Sequence, residues 1–508
     1  MLALSAVGLA ATSCASAAHA APKDPAYLAV RLRPPAPATS VLAGSPAVLA
    51  AEVAEQLFAA APVIVVVNAR DPADLPIAAT RAERAHAPLL LTSPSASAPS
   101  GGATPSARAT TPSAGTTIRA AIRALHTRAV LAVGITQPAL AAELPGVRVT
   151  ATPARLPITR APAPLRHVVL LVHQGAPASV GTVVAVTAQV AGGQVIAIQG
   201  YDPRADPAAI TALASARPRQ VLAVGAGFGP DGLLAARVAV AETGVQLPGG
   251  GQLVVPMHRL VALYGHPGTP SLGALGEQGL FASIARARQM AAPYRPLSQV
   301  PVVPTFEIIA TVAQGSPGPG GLYSYETPVA TLRPWVQAAS RAGMYVVLDL
   351  QPGRASLLAQ AKLYQALLER PNVGLALDPE WALGPGQLPL RQIGSVSIQE
   401  VNSVINWLAA LTARHHLPQK LLVLHQFRLS MIQGEQRLNT RHDDLAIVIH
   451  MDGQGTPGDK QQTWDAVTAA APPGVFFGWK NFLVKDHPML TPQETMAHVP
   501  QPVMISYQ

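Results

Sequence analysis

Two carboxylates separated by one residue follow an apolar run in the second half of the chain. The run Val373–Leu377 leads directly into Asp378, Pro379, Glu380 and Trp381. On an extended backbone, residues two apart point to the same side, so Asp378 and Glu380 can face one pocket. Two carboxylates in one pocket can divide the work of a general acid and its ionised counterpart. A strand-end turn with two solvated acids is the alternative interpretation.

Apolar runs that end in polar residues recur throughout residues 256–508. Eight runs of strand length are mostly separated by helical patterns, and eight β/α units in about 250 residues are typical of a (β/α)8 barrel. The C-terminal strand ends line the active site of such barrels. The sequence therefore predicts one polar pocket at the barrel mouth. The candidate catalytic residues are Glu307, Asp349, Asp378, Glu380 and Asp452, and the candidate substrate-binding residues are Tyr264, His266, Gln351, Trp381, His425, Gln426, His450, Trp479, Lys480, Asn481 and Tyr507.

A different pattern occupies residues 38–255, where continuously apolar strands alternate with Ala-rich helical segments. This alternation is typical of parallel α/β structure. One stretch is repeated, since residues 118–134 and 210–225 both run from a helical pattern into Val-Leu-Ala-Val-Gly. We therefore predict an α/β fold with two α/β repeats, at 38–160 and 162–255, followed by the barrel at 256–508.

The order of elements in these repeats resembles the type 2 cell-wall-binding repeats of Gram-positive surface proteins. It comprises a helix, a strand ending near Asn68 and Asp71, a Pro-Leu-Leu-Leu-Thr strand at 88–92, and the Ala-Val-Leu-Ala-Val-Gly strand that ends at Gly134. The resemblance covers both repeats and implies binding to a cell-wall glycan. A generic pair of α/β units is the alternative interpretation.

The Asp-x-Glu ending at Asp378 and Glu380 resembles that of barrel chitinases and secreted muramidases. The resemblance implies that Glu380 donates a proton and that Asp378 orients a substrate acetamido group. Trp381, Trp479 and Tyr264 could supply aromatic platforms for sugar rings. Desolvation and like charge both raise a carboxyl pKa, so we expect Glu380 to have the most raised pKa at the mouth. This hypothesis is a glycoside hydrolase acting on a polysaccharide through strand-end carboxylates.

Two other functions fit the same residues. His266, His425 and His450, with Asp349 and Asp452, include enough ligands for a divalent metal, which would make the barrel a metal-dependent hydrolase. The third class is a non-catalytic glycan-binding protein. No other cofactor is predicted.

The composition and the N-terminal segment indicate where the protein acts and which partners it can have. A net charge of +9 permits attraction to anionic polymers, but no dense Lys/Arg run is present, so we predict no nucleic-acid partner. Residues 1–21 are typical of an export signal, with a short apolar stretch and Ala-His-Ala at 18–20. Cys14, the sole cysteine, lies in a segment that resembles a bacterial lipoprotein box. We expect a secreted or lipid-anchored protein of the cell envelope, whose pattern resembles a group of exported actinobacterial-type proteins.

Overall fold

The computed structural model describes residues 27–68, 71–92 and 114–508. The predicted export signal and Cys14 lie outside these residues. The chain forms two compact units: Ser45–Arg166 and Ala178–Gly193 with the described residues up to Pro34, and Gln194–Gln508 with Pro35–Gly44 and His167–Pro177. The predicted repeat boundaries at 160 and 255 do not coincide with these units. Within the described ranges, every helix is too short or too polar to span a bilayer.

The first unit contains a four-stranded parallel sheet. Its strands, in spatial order, are Leu89–Thr92, Val63–Asn68, Ala129–Val133 and Arg148–Thr150. Its α-helices are Pro46–Leu57, Asp74–Arg84, Ala114–Ala124, Gln137–Glu143 and Ala178–Ala191. The three strands Val63–Asn68, Leu89–Thr92 and Ala129–Val133 are almost entirely buried, as their continuously apolar sequences predict.

A second four-stranded parallel sheet lies in the second unit. Its strands, in spatial order, are Gln194–Ile198, Val168–His173, Gln220–Val224 and Thr39–Leu42, and its α-helices are Pro207–Ala216 and Asp231–Ala241. In this sheet Val168–His173 lies between Gln194–Ile198 and Gln220–Val224. In the first unit Val63–Asn68 likewise lies between Leu89–Thr92 and Ala129–Val133. In both sets of three strands, the strand that comes first in the chain is therefore the middle one. Both repeated sequence stretches form a helix followed by a strand.

Eight parallel strands then close into a barrel, as predicted. They are β1 Arg259–Gly265, β2 Val302–Ala313, β3 Tyr345–Leu350, β4 Val373–Leu377, β5 Lys420–Gln426, β6 Leu445–Met451, β7 Phe476–Asn481 and β8 Met504–Tyr507. Closure follows from the pairing of β1 with both β2 and β8. A short strand, Ser324–Glu326, adds antiparallel to the end of β2.

Side chains alternate between the barrel interior and an outer layer of helices. Leu348, Leu375 and Leu422 face outward and pack in the large buried cluster formed with the helices. The α-helices of this region are Leu280–Ala291, Val329–Arg341, Leu357–Leu363, Gln365–Leu368, Ile398–Arg414, Pro457–Ala470 and Pro492–Met496. Between β5 and β6 the chain forms only short 3-10 turns and a two-residue strand.

The N-terminal end of the barrel is filled by apolar side chains. Val347, Val423 and Val448 point inward and form one cluster with Val254 and Val255, which precede β1. The segment before residue 256 therefore contributes to the barrel core. Because this end is packed, polar side chains further along the same strand faces meet at the opposite end.

Candidate functional site

The inward-facing rows of the strands carry polar residues at their C-terminal ends. Val347 is followed two residues later by Asp349, Val423 by His425, and Val448 by His450, so each polar side chain stays on the inner face. The remaining strands supply the other members of this row. The predicted residues on the inner face are Tyr264, Glu307, Asp349, Gln351, Asp378, His425, His450, Asp452 and Lys480.

His425 is the centre of this group and is fully buried. Its Nε2 donates to Glu307 Oε1 at 3.0 Å and lies 3.9 Å from Asp349 Oδ1. Its Nδ1 lies 3.1 Å from Asp452 Oδ2. Burial lowers the pKa of His425, but the charges of Glu307 and Asp452 outweigh burial and hold it well above 6.5. The imidazole is therefore a cation held between two carboxylates.

Asp452 connects His425 to a second buried cation. Lys480 Nζ lies 3.0 Å from Asp452 Oδ1 and 3.7 Å from the centre of the Tyr264 ring. Burial raises the pKa of Asp452, yet Lys480 and His425 hold it well below 3.8. Burial likewise lowers the pKa of Lys480, yet Asp452 leads the carboxylates that raise it above 10.5. Both groups therefore remain charged near neutral pH.

A third buried acid behaves differently. Asp349 Oδ2 accepts a hydrogen bond of 2.8 Å from the Tyr264 hydroxyl, which in turn accepts a 3.4 Å hydrogen bond from Gln351 Nε2. Burial raises the pKa of Asp349 to about 6, with His425 opposing the rise and Glu307 adding to it. Glu307 moves the other way because His425 outweighs burial and lowers its pKa. Glu307 and Asp452 therefore keep their negative charges beside the two cations over a wide pH range, whereas Asp349 gains or loses its charge near pH 6.

A cavity of about 560 Å³ opens above this charged group. It is lined by Tyr264, Gln351, Asp378, Glu380, Trp381, Leu390, Phe427, Arg428, Asp452, Gly453, Gln454, Thr463, Lys480, Phe482, Lys485 and Gln508. The predicted acids Asp378, Glu380 and Asp452 therefore share one pocket. Glu307, Asp349 and His425 lie beneath them and do not line the cavity.

The sequence Asp-Pro-Glu-Trp positions Glu380 through a local turn. Pro379–Trp381 forms one 3-10 turn, and the Asp378 carboxylate accepts the Glu380 backbone N–H at 3.2 Å. Burial, followed by the charge of Asp452, raises the pKa of Glu380 above 4.5, although Lys480 opposes the rise. Burial raises the pKa of Asp378 well above 3.8, with Asp349 adding to the rise. The expectation that Glu380 has the most raised pKa is wrong, because Asp378 is more deeply buried.

Four predicted pocket residues face away from the pocket. Their neighbours on each strand point inward, and side chains alternate along a strand, so these four enter the helical layer. Gln426 donates to Glu435 Oε2 at 2.9 Å, and the Tyr507 hydroxyl lies 2.5 Å from the Tyr294 hydroxyl. Trp479 packs in the cluster with Trp464 and donates to Asn481 Oδ1 at 2.8 Å. The prediction of Gln426, Trp479, Asn481 and Tyr507 as substrate-binding residues is corrected accordingly.

Two predicted histidines make contacts other than with the cavity. His266 follows β1, and its Nδ1 and Nε2 form hydrogen bonds with the hydroxyls of Thr269 and Thr327 at 3.0 and 3.1 Å. His450 is buried beside His425, and its Nε2 forms a hydrogen bond with Ser506 Oγ at 2.7 Å. Burial lowers the pKa of His450 to about 3. Among the described residues, no group of three or more His, Cys, Asp or Glu side chains is arranged to hold a metal ion.

Sequence reasoning missed the residues contributed by the loops. Phe427 and Arg428 follow β5, and Phe482 and Lys485 follow β7. A second cavity of about 390 Å³ adjoins the first and shares Glu380, Trp381, Leu390 and Arg428 with it; Leu383, Pro389, Arg391, Gln392 and Ile393 complete its lining. These loop residues could have been predicted from the sequence, because aromatic and basic residues directly follow the strand ends and the βα loops form the mouth of such barrels.

Three comparisons with known proteins give no relative for this chain. No protein-family model, no curated protein and no solved structure matches it.

Proposed function

We propose that the barrel hydrolyses a glycosidic bond of a polysaccharide in the larger cavity. One observation carries the proposal: Glu380 and Asp452 line the same cavity, and their surroundings move their pKa values in opposite directions. A pair of carboxyl groups separated in this way can supply a proton and a negative charge at the same pH. Glycoside hydrolysis requires both.

The roles follow from protonation and position. Glu380 gives its proton to the leaving glycosidic oxygen as the C–O bond breaks. Asp452 supplies the negative charge that stabilises the developing positive charge at the anomeric carbon. Water then provides the new hydroxyl group, and its other proton restores the acid. His425 and Lys480 position Asp452 and keep it ionised, since both contact its oxygens.

Asp378 and the aromatic lining support substrate placement. Asp378 accepts the Glu380 backbone N–H, so it fixes the turn that carries the acid. Its raised pKa favours a neutral carboxyl group that can donate a hydrogen bond into the cavity, as the acetamido role predicted by the resemblance requires. Tyr264, Trp381 and Phe427 provide apolar ring faces on the cavity wall, which suit the apolar faces of sugars.

We also propose that the protein acts outside the cytoplasm. This part rests on the export-signal pattern at residues 1–21 and on Cys14, and the wall-binding resemblance of the α/β repeats suggests a cell-wall glycan as the substrate.

The test uses purified protein and a panel of cell-wall and extracellular polysaccharides, with reducing ends as the readout. Glu380→Gln retains the shape and removes the proton, and it should lower the rate by about 10²–10⁴ while binding persists. Arg333→Gln, on the exposed face of Val329–Arg341, is the matched control and should leave the rate unchanged.

Two results would replace the proposal. If chelators abolish cleavage and Glu380→Gln does not, a metal-dependent hydrolase is the correct class. If the protein binds glycan but cleaves none of the panel, it is a non-catalytic glycan-binding protein.

A further inference from the structure

The two cavities form the start of an extended cleft. They share four lining residues, including the proposed acid Glu380, so a polymer bound across Glu380 has room on the side of the smaller cavity. The loop on this side, residues 383–393, contributes the five lining residues of the smaller cavity that the two cavities do not share. The smaller cavity is therefore positioned to hold a sugar unit next to the bond that is cleaved.

The charges of this smaller cavity are unbalanced. Arg391 and Arg428 line it, and Glu380 is the one acidic residue among the described residues of its wall. Within the described part of the chain, neither guanidinium group is within ion-pair distance of a carboxylate. Lys485, which lines the larger cavity, likewise has no ion pair among these residues.

This imbalance contrasts with the buried group below. Lys480 and His425 are each within 3.1 Å of an Asp452 oxygen, so those cations are already compensated. The basic residues of the cleft rim lack such partners, although apolar side chains such as Trp381 and Leu383 surround them. Guanidinium groups beside apolar walls bind carboxylate and phosphate oxygens through strong, often paired hydrogen bonds.

We propose that the smaller cavity is a subsite for an anionic unit of the polysaccharide, held by Arg391 and Arg428. The substrate class is then an acidic glycan that carries a carboxylate or a phosphate next to the cleaved linkage. That the bound glycan is a substrate rests on the proposed function, but binding of an anion depends only on the charges of the cleft.

The test compares binding of three probes of equal length by calorimetry: a neutral chito-oligosaccharide, an oligogalacturonate and an oligo(glycerol phosphate). At low salt, at least one anionic probe should bind about tenfold tighter than the neutral probe, the size expected of one charge-assisted hydrogen bond. The advantage should shrink as salt rises, because the rim is exposed. The tighter of the two anionic probes identifies carboxylate or phosphate as the natural group.

Variants separate a specific site from general attraction to a basic protein. Arg391→Gln/Arg428→Gln should abolish the advantage, whereas Arg333→Gln, which removes the same kind of exposed charge elsewhere, should retain it. Both positions are solvent-exposed, and an unchanged midpoint of urea unfolding will report an intact barrel. Equal affinity for neutral and anionic probes, or an advantage that survives the double substitution, overturns the proposal.

The two proposals fail in different ways. If the anionic preference depends on Arg391 and Arg428 but no glycan is cleaved, the hydrolase proposal is wrong and the anion site is supported. If a neutral glycan is cleaved through Glu380 with no anionic preference, the hydrolase is supported and the anion site is wrong.

Discussion

Removing the charge of Asp452 should strongly destabilise the barrel. Its carboxylate lies 3.0 Å from Lys480 Nζ and 3.1 Å from His425 Nδ1, and its side chain is only 7 % exposed. Asp452→Asn leaves two buried cations without this partner. Breaking a buried ion pair in this way costs about 3–5 kcal/mol. We therefore expect a loss of that size in the free energy of unfolding.

Tryptophan fluorescence during urea unfolding is a suitable assay, because all five tryptophans lie between residues 335 and 479, within the barrel. Glu277→Gln is the matched control: it breaks an ion pair with Arg286 in which the glutamate side chain is 48 % exposed. That change should cost less than about 1 kcal/mol.

A second substitution tests the cause of the instability. Adding Lys480→Met to Asp452→Asn removes one of the unpaired cations, so the double variant should be more stable than Asp452→Asn alone. The electrostatic explanation is refuted if Asp452→Asn destabilises the barrel no more than Glu277→Gln does.

Three further predictions concern pH, location and side-chain direction. The pKa of Asp349 is raised from 3.8 to about 6, so its contribution to stability is fully present below pH 3.8 and is lost as pH rises through about 6. Asp349→Asn should therefore reduce the decline of the urea midpoint over this pH range, and the part that remains belongs to Asp378 and Glu380, whose pKa values are also raised. Cys14→Ser should release the protein from membranes, and unchanged fractionation would contradict lipid anchoring. Tyr264→Phe should impair glycan cleavage, while Tyr507→Phe, whose hydroxyl contacts Tyr294 outside the cavity, should not, as initial rates will determine.

The barrel could be predicted from the sequence because each strand carries its own signal. A buried strand such as Val373–Leu377 is apolar throughout and is followed by polar residues, and the helices between strands have an independent periodicity. The C-terminal ends of parallel strands meet at one face whatever the details of packing. Asp378, Glu380 and Asp452 were therefore found without knowledge of any contact.

The direction of individual side chains was not predicted well, although the alternation along a strand contains it. Lys480 points into the cavity, so Trp479 and Asn481 on either side of it must point outward. Treating every polar residue at a strand end as part of the pocket ignored this rule. It brought Gln426 and Tyr507 into the predicted site by the same error.

Relative acidity and loop contacts depend on three-dimensional information. Asp378 and Glu380 are two positions apart in one motif, yet their burial differs, and burial is the largest contribution to both pKa shifts. The proximity of Arg391 to Arg428 results from the folding of two separate βα loops over one cavity. No local pattern encodes that proximity.

The proposed function depends most directly on one cavity moving the pKa values of Glu380 and Asp452 in opposite directions. Carbon-13 labelling of the Asp and Glu carboxyl groups, with Glu380→Gln and Asp452→Asn to assign the two signals, measures both titrations by NMR. We predict that the Glu380 signal titrates above pH 4.5 and that the Asp452 signal titrates below pH 3.8. Titration of both groups at their ordinary values, or of Asp452 above Glu380, would contradict the account.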